Sequence, residues 1–322
     1  MSVPSTDAPS TDAPVTSLDF RQGLSLAATA GSSGPLADLA GTWIGKGFSL
    51  ISPPGFNPHP PSTGPLPFRL KLNSTVEILE FTPIGAAVPN RGSTGQLDIN
   101  IFGLRYLQRI ADVVTDQPLH IEPGLWLTVP ATTVPPAPAT VVRQATIPHG
   151  NSLLTLGTAL TVPSGPQIGV VDSTPTKNPN TPPPLGLPYL APFVNPPLPP
   201  SIKLSFVKNS NLALQQAIAG QKIIKTVVLI ISTTTPANSS LTQAGGILNI
   251  PFDVSNANAT RLDAIFWIET VQQAVVDTQE AFSAQPSPRT LRPRSPQGTV
   301  VAEVRVVITH TGTAAALCDL DP

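Results

Sequence analysis

The chain has 322 residues, of which 40 are proline and 23 glycine, and only 11% are charged. A net charge of −1 argues against a protein that binds nucleic acid by neutralising phosphates, and against a polybasic membrane-surface protein. The single cysteine, Cys318, excludes an internal disulfide framework, a cysteine-rich zinc site and a CxxCH haem attachment. No apolar run is long enough to cross a bilayer, and the N-terminus does not read as a signal peptide, so we expect cytoplasmic residence.

The N-terminal residues predict a tail that precedes the folded domain. Residues 1–36 contain STDAP twice and continue with small residues, which bury too little apolar surface to offset their ordering entropy. We expect a flexible tail over 1–36 and one domain over 37–315. That domain is interrupted by a proline-rich insertion at 165–200 and by a Pro/Arg-rich loop at 283–298.

Most of the domain has the apolar/polar alternation of β-strands. The predicted strands are 68–81, 96–102, 119–129 in two pieces broken at Pro123-Gly124, 140–147, 152–161, 201–207, 222–234, 247–254, 263–271 and 299–310. Two segments favour helices instead: 103–113, with Leu104, Leu107 and Ile110 on one face, and 211–219. Many short strands with few helices favour an all-β sandwich or barrel.

Candidate reactive residues are few, because the chain has no hydrolase, zincin or nucleotide-binding motif. His120 and Glu122 project to the same face of a predicted strand. They are either a solvent-facing pair, or a pair in which the carboxylate orients the imidazole or keeps it charged. His149 follows Pro148 in a turn, where it is either an ordinary turn residue or a ring that contacts a ligand at the mouth of a barrel.

The last predicted strand ends at His310. Counting back by twos reaches Ile308, Val306 and Val304, so we expect His310 on the core-directed face. A buried imidazole needs a partner, which here is either a backbone carbonyl or a metal ion. Trp43, in the sequence GTW, is either a core residue or a platform for a ligand.

The order of the motifs resembles that of the nitrobindins, haem-binding β-barrels related in shape to fatty-acid-binding proteins and lipocalins. LAGTWIGKGFSL resembles the GTW opening of that family, and LRYLQRIAD resembles its segment with a Tyr/Gln/Arg cluster. QPLHIEPGLWLTVP is similar to its PLH-x-E-x-G strand pair, and TVVRQATIPHGNSLLTLG to the strand, His-Gly turn and strand that follow. The resemblance covers residues 37–160 well and residues 200–315 poorly.

The resemblance implies one closed antiparallel calycin-like barrel of about ten strands, with one or two short helices and haem b at one end. It implies an axial iron ligand on the last strand, which corresponds to His310 here. It also implies that His120 and His149 lie near the haem pocket. The implied chemistry is isomerisation of peroxynitrite, or a peroxidase-like reaction, at ferric haem.

Basic residues are the candidates to face the haem propionates, and Arg143 is one of four, with Lys46, Arg105 and Arg109. Two other functions are compatible with a barrel. One is a haem-free, lipocalin-like carrier of a small apolar ligand. The other is a cofactor-free enzyme acting on a polyketide or terpenoid, with His120 and Glu122 as its acid/base pair.

Overall fold

The computed structural model describes residues 32–51, 70–147, 150–170, 203–234, 245–256, 259–273, 299–311 and 315–321. Its strands are β1 (Gly41–Ile51), β2 (Lys71–Pro83), β3 (Val88–Asn90), β4 (Ile99–Asp112), β5 (Pro118–Val129), β6 (Thr132–Thr133), β7 (Pro136–Ala137), β8 (Thr140–Ile147), β9 (Asn151–Val162), β10 (Ile223–Ser232), β11 (Gly246–Asn249), β12 (Arg261–Gln273), β13 (Thr299–Thr311) and β14 (Ala315–Asp321). Its helices are a 3₁₀ helix (Gly34–Leu39), α1 (Leu204–Lys208), α2 (Asn211–Ala217) and α3 (Pro251–Asn256).

Antiparallel pairing joins most of these strands into one curled sheet. Neighbouring strands follow the order β10-β12-β13-β14-β1-β2-β4-β5-β8-β9, and β10 also pairs with β9. At the margins, β11 pairs with β9 and β3 with β4, while β6 and β7 form a separate pair. The predicted all-β class is therefore confirmed.

The main hydrophobic core lies on one face of this sheet, which we call the core face. Successive side chains of a strand alternate between faces, so each strand contributes every second residue. The core cluster includes Trp43, Leu79, Phe81, Leu104, Tyr106, Trp126, Ala145, Leu153, Leu229, Ile231, Leu262, Ala264, Phe266 and Ile268. Burial of these large side chains is the main favourable term in the stability of the sheet.

The 3₁₀ helix packs at the end of the sheet where β1 begins. Leu36 and Leu39 are fully buried in the core cluster, and the Trp43 indole Nε1 donates to the Leu39 carbonyl oxygen at 2.8 Å. Lys225 Nζ lies 2.5 Å from Asp38 Oδ2. We call the end of the sheet where β1 begins the helix end. The opposite end, where β4 connects to β5, is called the β4–β5 end. The predicted boundary between residues 36 and 37 falls within this helix.

Leu39→Ala is expected to lower the free energy of unfolding by about 2–5 kcal/mol, because it leaves a cavity beneath the helix. Asp38→Ala is the matched control, since it removes only a half-exposed ion pair worth less than about 1 kcal/mol. Urea unfolding of both variants measures the difference. Equal losses would mean that the helix is not docked through Leu39.

The predicted helix over 103–113 is wrong, because this segment belongs to strand β4. Its apolar residues fit a helical period, but burial follows a period of two. Leu104, Tyr106 and Gln108 are buried, whereas Arg105 and Arg109 are exposed. Pairing with β2 on one side and β5 on the other satisfies the backbone and outweighs the local preference.

Other predicted boundaries also change. The predicted strand 201–207 is instead helix α1 over its described residues. The predicted strand 247–254 divides into strand β11 and helix α3. Helix α3 begins at Pro251, and proline is well suited to the first turn of a helix. Strand β5 runs unbroken through Pro123, which lies beyond its pairing with β8, where a missing N–H is tolerated. The helix predicted over 211–219 is confirmed as α2.

Helices α1 and α2 cover part of the other face of the sheet. Leu214 packs with Ile168 against Trp267, and Val207 packs with Leu50. Leu72, an apolar even-numbered residue of β2, packs in the same cluster as Val207 and Leu50, while the odd-numbered residues of β2 are the buried ones on the core face.

Candidate functional site

Three neighbouring strands bring four polar side chains together on the core face. Tyr106 lies on β4, His120 and Glu122 on β5, and Arg143 on β8. The register sets Tyr106 opposite Gly124, and Arg143 opposite Trp126. Because these positions share one face of adjacent strands, their long side chains can meet. We call these four residues the Arg143 cluster.

Glu122 is the acceptor at the centre of the cluster. Its Oε1 accepts hydrogen bonds from the Tyr106 hydroxyl and from Arg143 Nη2. Its Oε2 lies 3.2 Å from His120 Nε2, and Arg143 Nε donates to the Tyr106 hydroxyl oxygen at 2.9 Å. One carboxylate therefore holds a phenol, a guanidinium and an imidazole in fixed positions.

The cluster keeps its charges at neutral pH. Burial by itself would raise the pKa of Glu122, but the charge of Arg143 and the hydrogen bonds from His120 and Tyr106 outweigh it and lower that pKa to about 2. Burial opposes the charge of Arg143 as well, yet the neighbouring Glu122 carboxylate raises the arginine pKa. Burial raises the pKa of Tyr106 well above its ordinary value, so the phenol remains a neutral donor.

One nitrogen of Arg143 is not used within the cluster. Arg143 is only 1% exposed, and its Nη1 is buried with no hydrogen-bond partner in the described part of the chain. Buried polar groups in folded proteins nearly always have a partner, which is protein, water or ligand. The Nη1 atom is therefore where this cluster can take up a further acceptor.

Aromatic rings frame the guanidinium. Arg143 Cζ lies 5.6 Å from the centre of the Tyr106 ring and 5.8 Å from that of Phe266. The Trp126 and Phe266 rings meet edge to face with centroids 4.8 Å apart. These contacts fix the plane of the guanidinium and leave few alternative rotamers.

Gly124 provides the space for the Tyr106 ring. A Cβ atom at position 124 would lie 2.5 Å from Tyr106 Cε1 and 2.2 Å from the Gln144 carbonyl oxygen. We expect Gly124→Ala to push the ring away from Glu122 and to destabilise the fold by about 1–3 kcal/mol.

The matched control for Gly124→Ala is Gly165→Ala, whose Cβ atom would meet Ile223 Cβ at an ordinary 3.5 Å. Thermal unfolding measures stability, and the difference in tyrosine ultraviolet absorption between each variant and the wild type measures the change around Tyr106, since the other tyrosine, Tyr189, is the same in all three proteins. Identical behaviour of the two variants would contradict the close approach of ring and strand.

A second polar group adjoins the cluster toward the β4–β5 end. Glu77 is 1% exposed, and its two carboxylate oxygens accept from Gln108 Nε2 at 3.0 Å and from Thr75 Oγ1 at 3.2 Å. Gln108 pairs directly with Glu122 across β4 and β5. The core face is thus apolar at the helix end and polar toward the β4–β5 end.

The structure brings some of the predicted site residues together. His120 and Glu122 are in contact, which is the arrangement in which the carboxylate orients the ring. Of the four basic candidates, Arg143 alone is buried on the core face, while Lys46, Arg105 and Arg109 are exposed.

The other predicted residues have separate positions. Trp43 is 2% exposed and lies in the core cluster. The backbone of His310 pairs opposite Leu262, and the His310 side chain is outside the described part of the chain. His149 also lies outside the described residues.

Sequence reasoning missed Glu77 and assigned Tyr106 and Gln108 to a helix. The available signal was the period of two in Leu104, Tyr106 and Gln108, which alternates with arginines.

Chemically, Glu122 stays ionised over most of the pH scale and serves as an acceptor that orients its neighbours. His120 is the member of the cluster whose side chain carries both a proton donor and a proton acceptor on one ring, so it is the group suited to exchange a proton with a bound molecule. Within the described residues, no group of three or more His, Cys, Asp or Glu side chains is placed to hold a metal ion. None of the helices in the described residues has the length and apolar character to cross a bilayer.

Comparison with known proteins leaves the family open. No protein-family model matches the chain, and no curated protein matches it. Among solved structures, the chain is similar to the crystal structure of Rv2717c from M. tuberculosis, with 15% identity and a TM-score of 0.34. That match covers 91% of this chain and 98% of the other. Similarity at this level supports no conclusion about function, so membership of the nitrobindin family stays a prediction.

Proposed function

We propose that this chain is a closed ten-stranded β-barrel that binds one small organic molecule in its interior. The pairing of β10 with both β12 and β9 supports closure, because the order of neighbouring strands then returns to its starting point. Barrels of this size enclose enough space for side chains and one small ligand.

The ligand enters at the β4–β5 end and contacts the Arg143 cluster. The helix end is filled by Leu36 and Leu39, whereas the core face toward the β4–β5 end carries polar groups. The observation that carries the proposal is the buried Nη1 atom of Arg143, which has no hydrogen-bond partner among the described residues. A few convergent polar groups in a mostly apolar concave site are typical of small-molecule sites.

Titration with the neutral fluorescent probe N-phenylnaphthylamine tests this function. We expect saturable binding at one site per chain with blue-shifted emission. Ala145→Phe places a ring on the core face and is expected to abolish that binding, whereas Thr146→Phe, its exposed neighbour, is the matched control and should bind as the wild type does. Circular dichroism verifies that both variants fold. Probe binding that persists in Ala145→Phe would contradict an interior site, and so would loss of binding in Thr146→Phe as well.

Haem binding is the second candidate, and the position of His310 on β13 opposite the buried Leu262 favours it. Haem iron is commonly held by one histidine of the protein. The Nε2 atom of His120 contacts Glu122 Oε2 at 3.2 Å, so that nitrogen is not the one that would bind iron. In this alternative, His310 would hold the iron, and the haem would supply the chemistry that the family resemblance implies.

A haem titration of the full chain separates the two candidates. A shifted Soret band that is retained in His120→Ala and lost in His310→Ala would support the haem-binding function. A spectrum identical to that of free haem would leave the haem-free binding protein as the remaining proposal.

A further inference from the structure

We infer that the ligand presents an uncharged carbonyl-type oxygen to Arg143 Nη1, as in a ketone, an ester or a lactone. This inference rests on the proposed function and names the class of molecule that the same site takes.

The donor is available and fixed in position. A guanidinium has five N–H bonds, and those of Nε and Nη2 reach the Tyr106 hydroxyl and Glu122. Nη1 remains with two N–H groups, buried and without a partner in the part of the chain described. Because the other two nitrogens and the flanking rings hold the guanidinium plane in place, Nη1 can bind an acceptor with little further loss of side-chain conformational entropy.

The surrounding charge excludes an anionic acceptor. The buried charged residues described on the core face are Glu77, Glu122 and Arg143, which sum formally to −1. A ligand carboxylate at Nη1 would add another negative charge in a region of low dielectric. A neutral oxygen accepts the same hydrogen bond without that repulsion.

The remainder of the ligand is apolar. Trp126, Phe266, Leu104 and Ala145 belong to the core cluster, and Phe266 lies within 5.8 Å of the guanidinium carbon. Apolar contact with these side chains supplies affinity, and the single oxygen supplies orientation. The expected ligand is therefore a neutral, mostly hydrocarbon molecule with one carbonyl group.

The test is displacement of N-phenylnaphthylamine from the full chain by three ligands of equal length. They are methyl octyl ketone, decanoate, and the isosteric alkene in which a methylene group replaces the carbonyl oxygen. We expect the ketone to bind about tenfold more tightly than the alkene, as a hydrogen bond to a charged donor predicts, and more tightly than decanoate. Arg143→Lys keeps the charge but loses the planar fork, so the ketone and the alkene should become equal.

A measurement on the wild type covers the case in which Arg143→Lys does not fold. The carbonyl stretch of isotope-labelled ketone should fall to lower frequency when bound, relative to the same ketone in hydrocarbon. Equal affinities of ketone and alkene with an unshifted stretch would overturn the inference and leave Nη1 to a buried water. Tighter binding of decanoate would overturn it in favour of an anion site. Failure of the probe itself to bind would overturn the proposed function together with this inference, so the two failures are distinguishable.

Discussion

Replacing Arg143 with methionine is expected to lower the free energy of unfolding by about 3–5 kcal/mol. The substitution removes the cation and leaves the ionised Glu122 carboxylate buried at 3% exposure, with Tyr106 and His120 as its remaining hydrogen-bond partners among the described residues. Breaking a buried ion pair from one side costs far more than the pair contributes, because the remaining charge has lost its compensation. Urea unfolding monitored by tryptophan fluorescence measures this loss.

Two controls locate the effect of that substitution. Arg109→Met removes an arginine of strand β4 that pairs with Glu80 on the exposed face, and it should cost less than about 1 kcal/mol. The double variant Arg143→Met/Glu122→Leu should recover much of the loss, since it removes both charges together. A double variant no more stable than Arg143→Met would contradict the contact between the two side chains.

Acidification is expected to weaken the fold by about 3 kcal/mol as Glu122 becomes protonated. The carboxyl pKa falls from an ordinary 4.5 to about 2 in the folded chain. A group whose pKa is depressed by folding stabilises the protein fully above its unfolded pKa. That stability is lost as the pH falls through the folded value, so the loss spans the range from pH 4.5 down to about 2.

Glu122→Gln provides the comparison for the acid prediction. The variant should be less stable at neutral pH, because Arg143 loses its counter-charge, and its stability should change less across the same acid range. The midpoints of urea unfolding at several pH values measure how the stability of each protein changes with pH. A wild type and a variant with the same pH dependence would show that Glu122 is not the titrating group.

Strands bounded by turn residues were predictable from the sequence. The prediction of 222–234 corresponds to β10 at Ile223–Ser232, and 299–310 to β13 at Thr299–Thr311, because each combines β-branched residues with clear ends. Strand β4 was not predictable in the same way. Its segment LRYLQRIAD satisfies both a helical and a strand period, and only pairing with β2 and β5 decides between them.

The candidate site was predictable in part. A spacing of two on one strand was enough to expect His120 beside Glu122. Arg143 could not be chosen from four basic residues, since its burial depends on the position of β8 in the sheet. Glu77 was missed because hydrophobic alternation assumes an apolar core, whereas the core face is polar near the β4–β5 end, and Leu72 of the same strand packs with Val207 of α1 on the opposite face.

Photo-labelling of the full chain with benzophenone tests the central claim most directly. Benzophenone is a neutral, mostly apolar ketone, and on illumination its oxygen abstracts a hydrogen atom from a neighbouring C–H group, after which its carbonyl carbon bonds to the carbon that lost the hydrogen. With the carbonyl oxygen at Arg143 Nη1, we expect labels on core-face residues near the guanidinium, such as Leu104, Ala145 and Phe266. Labels confined to exposed outer residues such as Leu160 and Ile230, or not displaced by methyl octyl ketone, would contradict an interior ligand site.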